Sequence, residues 1–187
     1  MRIQEMARTE CFDVLARARF GRLGCAYDNQ PYVVPIYFAC DETHLYGVAT
    51  FGKKIEWMRA NPLVCVEVEE VASHNQWETV VIFGRYEEMP DIPEWQCQRA
   101  HAHELLRKRP MWWQPAYVAS THRGVPHSLI PVFYRIRIDE ITGHRALPDD
   151  QGRAPESSSS TSRSRHAHGW LSQLIHRAWT KSDRRLA

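Results

Sequence analysis

The sequence predicts a mainly β domain in which six antiparallel strands form a barrel with short helices at its flanks. Three observations support this fold class. Several short apolar or alternating segments follow one another closely, turn-forming residues join most of them, and the helical segments between them are too brief for a parallel βαβ sheet. With 187 residues and 43% hydrophobic content, the chain can supply one ordinary core, so a second catalytic domain is not expected.

The first part of the chain is predicted to form a helix and a hairpin. Thr9 can cap a helix whose apolar residues recur at helical spacing, and Gly21 ends it. Strands at 22–27 and 32–40 follow, separated by four residues that favour a turn. Pro35 lies inside the second strand and cannot donate a backbone hydrogen bond. It therefore predicts a sheet edge, a bulge or a backbone exposed to a ligand.

The remaining elements are indicated by turn residues, by period-two alternation and by prolines that begin or stop helices. The alternation is clearest at 64–69, where valines occupy every second position. The predicted elements are a strand at 44–48, a short helix opened by 50–54 and stopped by Pro62, strands at 64–69 and 78–88, a helix from Pro93 to about Lys108, and a strand at 132–141.

The composition divides the chain into three segments. Residues 1–147 hold the predicted barrel. Residues 148–168 are polar and rich in serine and arginine, which predicts a disordered linker. In 169–187 the apolar residues share one helical face opposite basic ones, which predicts an amphipathic helix or tail that docks on the body or on a partner, with a weakly ordered extension as the alternative. Its short length and its polar residues disfavour contact with a membrane.

Charge, cysteine usage and histidine spacing exclude several classes of protein. With a formal charge of +2, the body of the protein is not expected to carry the basic surface of a nucleic-acid-binding protein. The five cysteines are widely spread without a CxxC pair, and the first residues lack the apolar segment of a signal peptide. No window is apolar enough for a membrane span, so we expect a cytoplasmic protein. The ten histidines show no metal-ligand spacing, and no metal is expected.

The segment from Thr50 to Lys54 is the first candidate site. It follows a strand and opens a helix, and Gly52 lets the backbone approach a ligand closely. Free N–H groups at the helix start, together with Lys53 and Lys54, would favour a phosphate dianion. The commoner use of two such lysines is a solvated surface, and that alternative stays open.

The strand around Pro35 is the second candidate site. A flat heteroaromatic ring needs a strand whose backbone N–H and C=O groups can meet its polar edge, and a proline in the strand leaves such a place. An ordinary edge strand that contains a proline is the alternative interpretation.

Five segments along the chain carry a resemblance to a known family. The chain resembles the pyridoxamine 5′-phosphate oxidase-like FMN-binding split-barrel family, in particular the branch that includes the nitroimidazole-resistance proteins. The resemblance covers roughly residues 10–147. Its segments, in order, are FGRLG at 20–24, PYVVPIYF at 31–38, LYG at 45–47, GKK at 52–54 and FGRYE at 83–87.

The resemblance implies an FMN held at the interface of a homodimer. The edge strand would lie against the isoalloxazine ring, and the helix start would lie against the phosphate. Trp113 would stack on the flavin of the partner subunit or serve only in packing. Relatives often carry histidine or threonine where this chain has Val48 and Ala49. The residues implied to bind the cofactor are Val33, Val34, Pro35, Ile36, Thr50, Gly52, Lys53, Lys54 and Trp113.

The function that this resemblance implies is that of an FMN-dependent oxidoreductase. Electrons would pass from a reduced nicotinamide or flavin donor to a small acceptor such as a nitro compound or a quinone. The sequence identifies no catalytic residue, because the cofactor itself performs the electron transfer. Two alternatives remain: a non-catalytic module that binds FMN or haem for storage or sensing, and a structural dimer that has lost its ligand.

Overall fold

The computed structural model describes residues 1–110 and 131–148, together with the backbone of 121–122 and 125–126. Trp113, the predicted tail at 169–187 and all but the first residue of the predicted linker lie outside the described residues. The elements of the described part are β1 (Arg2–Glu5), α1 (Arg8–Arg17), β2 (Gly21–Tyr27), β3 (Gln30–Ile36), β4 (Ala39–Cys40), β5 (His44–Thr50), α2 (Lys53–Ala60), β6 (Leu63–Ser73), β7 (Gln76–Glu88), a 3₁₀ turn (Pro93–Trp95), α3 (Gln96–Arg107), β8 (Thr121–His122), β9 (Val125–Pro126) and β10 (Pro131–Leu147).

One antiparallel sheet of eight strands forms the body of the domain. Its order is β3-β2-β6-β7-β10-β5-β4, and β1 pairs with β10 beside this path. β3 and β4 form the two ends of the path, and no ladder joins them within the described residues. The predicted fold class, a mainly β antiparallel split barrel with short helices, is therefore confirmed, with eight strands in place of six.

The difference in strand number has two local causes. Sequence analysis misses β1, because all four of its side chains are exposed and no alternation marks the strand. The predicted strand at 32–40 is divided, since β3 ends at Ile36 and β4 begins at Ala39. The last strand also runs beyond its predicted end to Leu147, where β7 and β1 pair with opposite edges of it.

Helix α1 differs from its prediction at both ends. Its N-cap is Ala7, and Thr9 lies in the first turn, so the predicted cap is wrong. The Glu10 carboxylate accepts a hydrogen bond from the Ala7 backbone N–H at 2.7 Å and thereby performs the capping role. The helix ends at Arg17, and Gly21 begins β2 instead of ending the helix.

The hairpin of β2 and β3 follows its prediction closely. Asp28 and Asn29 adopt φ values of 49° and 60°, the left-handed conformation that a two-residue hairpin turn requires and that these residue types tolerate. The register pairs Tyr27 with Gln30 and Arg22 with Pro35. Because β3 is the end strand of the sheet, Pro35 lies at an edge, which is the first of the three predicted alternatives.

The main core lies between the sheet and helices α1 and α2. Ile55 and Met58 of α2 are fully buried there, together with Leu15 of α1 and Leu23 of β2. A second cluster lies beneath α3. Because two core residues anchor α2, its first turn is held at a defined position near the β2–β3 hairpin.

Candidate functional site

The first turn of α2 presents an open surface. Gly52 is the N-cap, and its carbonyl oxygen accepts hydrogen bonds from the Ile55 and Glu56 N–H groups at 2.9 and 3.1 Å. Helix geometry leaves the N–H groups of Lys53 and Lys54 without intrahelical acceptors. A Cβ added at Gly52 would meet nothing within 4 Å. The space that the glycine leaves is therefore available to a ligand.

Lys54 is a partly buried cation. Burial lowers the pKa of its ammonium group from the ordinary 10.5, and the neighbour that acts on it electrostatically is the Cys25 thiol. No carboxylate forms an ion pair with Lys54 in the described part of the chain. Withdrawing a charge from water costs free energy unless a counter-charge is present. An anion bound here would supply that counter-charge.

Lys53 lies in a different environment from its neighbour. Its side chain is exposed, and its Nζ is 4.7 Å from the ring centre of Tyr32 and 4.4 Å from that of Trp57. Both distances fall within the range of a cation–π contact. Tyr32 belongs to β3, so the structure brings the two segments predicted as sites, the edge strand and the helix start, next to each other.

The four residues predicted on β3 contribute in different ways. Val33 is 63% exposed, Val34 packs partly against the core, and Ile36 is only 3% exposed. The side chain of Ile36 therefore belongs to the core, and its backbone pairs with Gly21 of β2. As an edge strand, β3 leaves one row of N–H and C=O groups without strand partners, and Pro35 removes one donor from that row.

Thr50 ends β5, and the two residues before it are core residues. Val48 is 4% exposed and Ala49 is fully buried, while Thr50 is half-buried opposite Pro131 of β10. The positions where relatives often carry histidine or threonine thus hold buried apolar side chains. Thr50 alone of these three keeps a polar group beside the first turn of α2.

Arg22 is a further cation near β3, since it lies opposite Pro35 in the ladder. Its guanidinium is held by two carboxylates: Nη1 lies 3.1 Å from Glu67, and Nη2 lies 2.8 Å from Glu69. Those contacts already balance its charge. The contrast with Lys54 makes the lysine the better candidate for binding an anion.

The outer face of the sheet carries a shallow apolar groove that the sequence analysis missed. It has a volume of about 360 Å³ and is formed by strands β2, β3, β6 and β7. Val33, Leu63 and Phe83 line it and are between 50% and 63% exposed. One feature of the sequence could have predicted the groove, because Cys65 and Phe83 are apolar side chains at strand positions that face away from the core.

A polar cluster around Asp41 has a structural role. Its carboxylate accepts hydrogen bonds from the Thr43 hydroxyl at 2.7 Å and the Tyr46 hydroxyl at 2.8 Å, and lies 3.1 Å from His101 Nε2. Burial alone would raise the pKa of Asp41, but these hydrogen bonds outweigh it and lower the pKa. The cluster joins α3 to the β4–β5 turn.

The described residues contain neither a metal centre nor a membrane-spanning helix. Residues 1–110 and 131–148 contain no group of three or more side chains arranged to hold a metal ion. None of the helices described in those ranges is long and apolar enough to cross a bilayer.

The sheet order and the short helices place the chain in the class of split β-barrel domains. More narrowly, the chain belongs to the pyridoxamine 5′-phosphate oxidase family, whose model matches residues 7–145. An uncharacterized protein of Rhizobium meliloti (strain 1021) is 39% identical over 146 residues, covering 78% of this chain and 97% of that protein. The resemblance predicted from the five segments is confirmed.

Comparison with solved structures agrees with this family assignment. A FAD-binding protein from Mesorhizobium loti is 42% identical with a TM-score of 0.64, covering 79% of this chain and 99% of that one. Two more distant structures share the fold alone. A FAD-binding protein from Mycobacterium smegmatis is 20% identical (TM-score 0.56, covering 77% and 100% of the two chains), and a candidate 5-nitroimidazole antibiotic resistance protein from Bacteroides thetaiotaomicron is 18% identical (0.56, 78% and 89%).

Proposed function

We propose that this protein is a flavin-dependent oxidoreductase that binds an FMN group between the first turn of α2 and the edge strand β3. The single observation that carries the proposal is the partly buried ammonium of Lys54, which lies at a helix start without a carboxylate partner in the described residues. A phosphate dianion would balance this charge and accept hydrogen bonds from the free N–H groups.

The described residues fit such a group. Lys54 would hold the phosphate, with Lys53 and the Thr50 hydroxyl beside it, and the open space at Gly52 would admit the phosphate to the backbone. The outward backbone groups of β3, on Val33 and Pro35, would meet the polar edge of the isoalloxazine ring. A bound flavin would supply the electron transfer, from a reduced nicotinamide or flavin donor to a small acceptor such as a nitro compound or a quinone.

We also propose that the functional form is a homodimer with the flavin at its interface. The exposed side chains of Val33, Leu63 and Phe83 line the apolar groove, and Val33 belongs to β3, the edge strand of the proposed cofactor site. Exposed apolar patches of this kind are typical of protein interfaces. A second copy seated there would cover the groove and exclude water from the flavin.

The test is FMN affinity measured by quenching of flavin fluorescence. We expect Lys54→Met to weaken binding about 10- to 100-fold, because a charge-assisted hydrogen bond to phosphate is lost. Lys108→Met is the matched control, since Lys108 caps the C-terminal end of α3, pairs with Glu104 and should leave the affinity unchanged. Failure of the wild-type protein to take up FMN would overturn the proposal. Steady oxidation of NADH or NADPH would distinguish an oxidoreductase from a module that only stores or senses the cofactor.

A further inference from the structure

A cavity lies where the chain passes from α1 into β2, and we call it the α1–β2 cavity. Arg19 and Phe20 of this connection line it, and Val71 of β6 lines it as well. Its volume is about 360 Å³, which is large enough for a small organic ligand. Phe20 is 50% exposed and Val71 is 63% exposed, so both can cover an apolar body. Among the described residues, none lines both this cavity and the apolar groove.

Two of the arginines that line the cavity are held by carboxylates. Arg17 Nη2 lies 3.0 Å from Glu70 and 2.8 Å from Glu78, which connects the end of α1 to β6 and β7. Arg22 Nη2 lies 2.8 Å from Glu69 and connects β2 to β6. These ion pairs offset the charges of both guanidinium groups. They also join the elements on either side of the cavity, so its shape does not depend on a ligand.

Arg19 differs from these two arginines. Its side chain is exposed, and it forms no ion pair with a carboxylate of residues 1–110 or 131–148. Three arginines and two glutamates line the cavity, which leaves one positive charge in excess. The planar guanidinium group matches the two oxygens of a carboxylate and can donate to both. A single negative charge on a ligand would balance Arg19.

We propose that the α1–β2 cavity binds a small aromatic carboxylate. The carboxylate pairs with Arg19, and the ring packs against Phe20 and Val71. An aromatic body suits the site because a flat ring can stack on the exposed face of Phe20. The inference does not depend on the proposed function, since neither Lys54 nor Gly52 lines this cavity.

The experiment measures binding of cinnamate and of its neutral amide, cinnamamide, to the full chain by titration calorimetry. The two compounds share the ring and differ in charge. We expect the wild type to bind cinnamate about tenfold more tightly, because only the carboxylate forms a charge-assisted hydrogen bond with Arg19. Arg19→Met should remove this difference by lowering the affinity for cinnamate to that for the amide. Phe20→Ser should weaken the binding of both compounds several-fold.

Arg8→Met is the matched control for the loss of an exposed arginine. The Arg8 guanidinium lies 5.0 Å from the ring centre of Phe12, and Arg8 does not line the cavity. This variant should keep the wild-type affinity for both compounds. Urea unfolding of each variant shows whether it is folded under the conditions of the titration.

Three results would overturn the proposal. The first is the absence of cinnamate binding by the wild type, and the second is an equal wild-type affinity for the acid and the amide. The third is unchanged binding in Phe20→Ser, which would mean that the compounds bind at another surface such as the apolar groove. FMN affinity is measured separately, so each of these results leaves the proposed flavin site standing. Failure to take up FMN would in turn leave the carboxylate site standing.

Discussion

The ammonium nitrogen of Lys53 lies 4.4 Å from the ring centre of Trp57, one helical turn further along α2. The same nitrogen lies 4.7 Å from the ring of Tyr32, so one side chain connects the helix to the edge strand. Its neighbour Lys54 is partly buried beside Cys25. Two adjacent lysines thus lie in separate environments.

Lys54 should make the stability of the ligand-free protein depend on pH. Burial lowers its pKa in the folded state below the ordinary 10.5, so the unfolded chain binds this proton more readily between the two values. The contribution of Lys54 to the free energy of unfolding should therefore rise as the pH rises through that window. We expect urea unfolding of wild type and Lys54→Met at a series of pH values to show this rise in the difference between them. A difference that does not change with pH would contradict the burial of the charge.

Phe83 should control the oligomeric state if a second copy covers the apolar groove. Phe83→Lys places a charge in the middle of the proposed interface, where its desolvation would disfavour association. We expect sedimentation equilibrium to give a dimer for the wild type and a single chain for the variant. Val71→Lys is the control, because Val71 is 63% exposed on β6 but does not line the groove. A monomeric wild type would remove the proposed interface.

Arg109 should be important for stability because it joins the end of α3 to the end of α1. Its guanidinium donates to the carbonyl oxygens of Ala16 at 2.7 Å and Leu15 at 3.1 Å, acceptors left free by the end of the helix. Arg109→Met should lower the free energy of unfolding by about 2 kcal/mol, the scale for hydrogen bonds to a charged group. Arg107→Met, at an exposed position of α3, should change it by less than about 0.5 kcal/mol. Equal effects of the two substitutions in chemical denaturation would show that the Arg109 contacts contribute nothing.

Local patterns were sufficient to predict most elements of the sheet. The valines of β6 alternate in sequence and are buried in the structure, and Pro62 follows the end of α2 as expected. β1 escaped prediction because its four exposed residues carry no alternation, and only its pairing with the end of β10 makes it a strand. Thr9 was a reasonable cap by residue type, but the Glu10 carboxylate reached the Ala7 N–H instead.

By itself, the sequence determined the order of the predicted elements and the lysine pair at a helix start, since each depends on residues close together in the chain. It limited Pro35 to an edge, a bulge or an exposed backbone, and the sheet order placed it at an edge. The tertiary structure decided what surrounds those lysines. Tyr32 meets Lys53, and Lys54 is partly buried, because Ile55 and Met58 anchor α2 in the core beside the β2–β3 hairpin. Burial and ring contacts of this kind arise between segments distant in sequence. Turn chemistry and periodicity act over a few residues and carry no information about them.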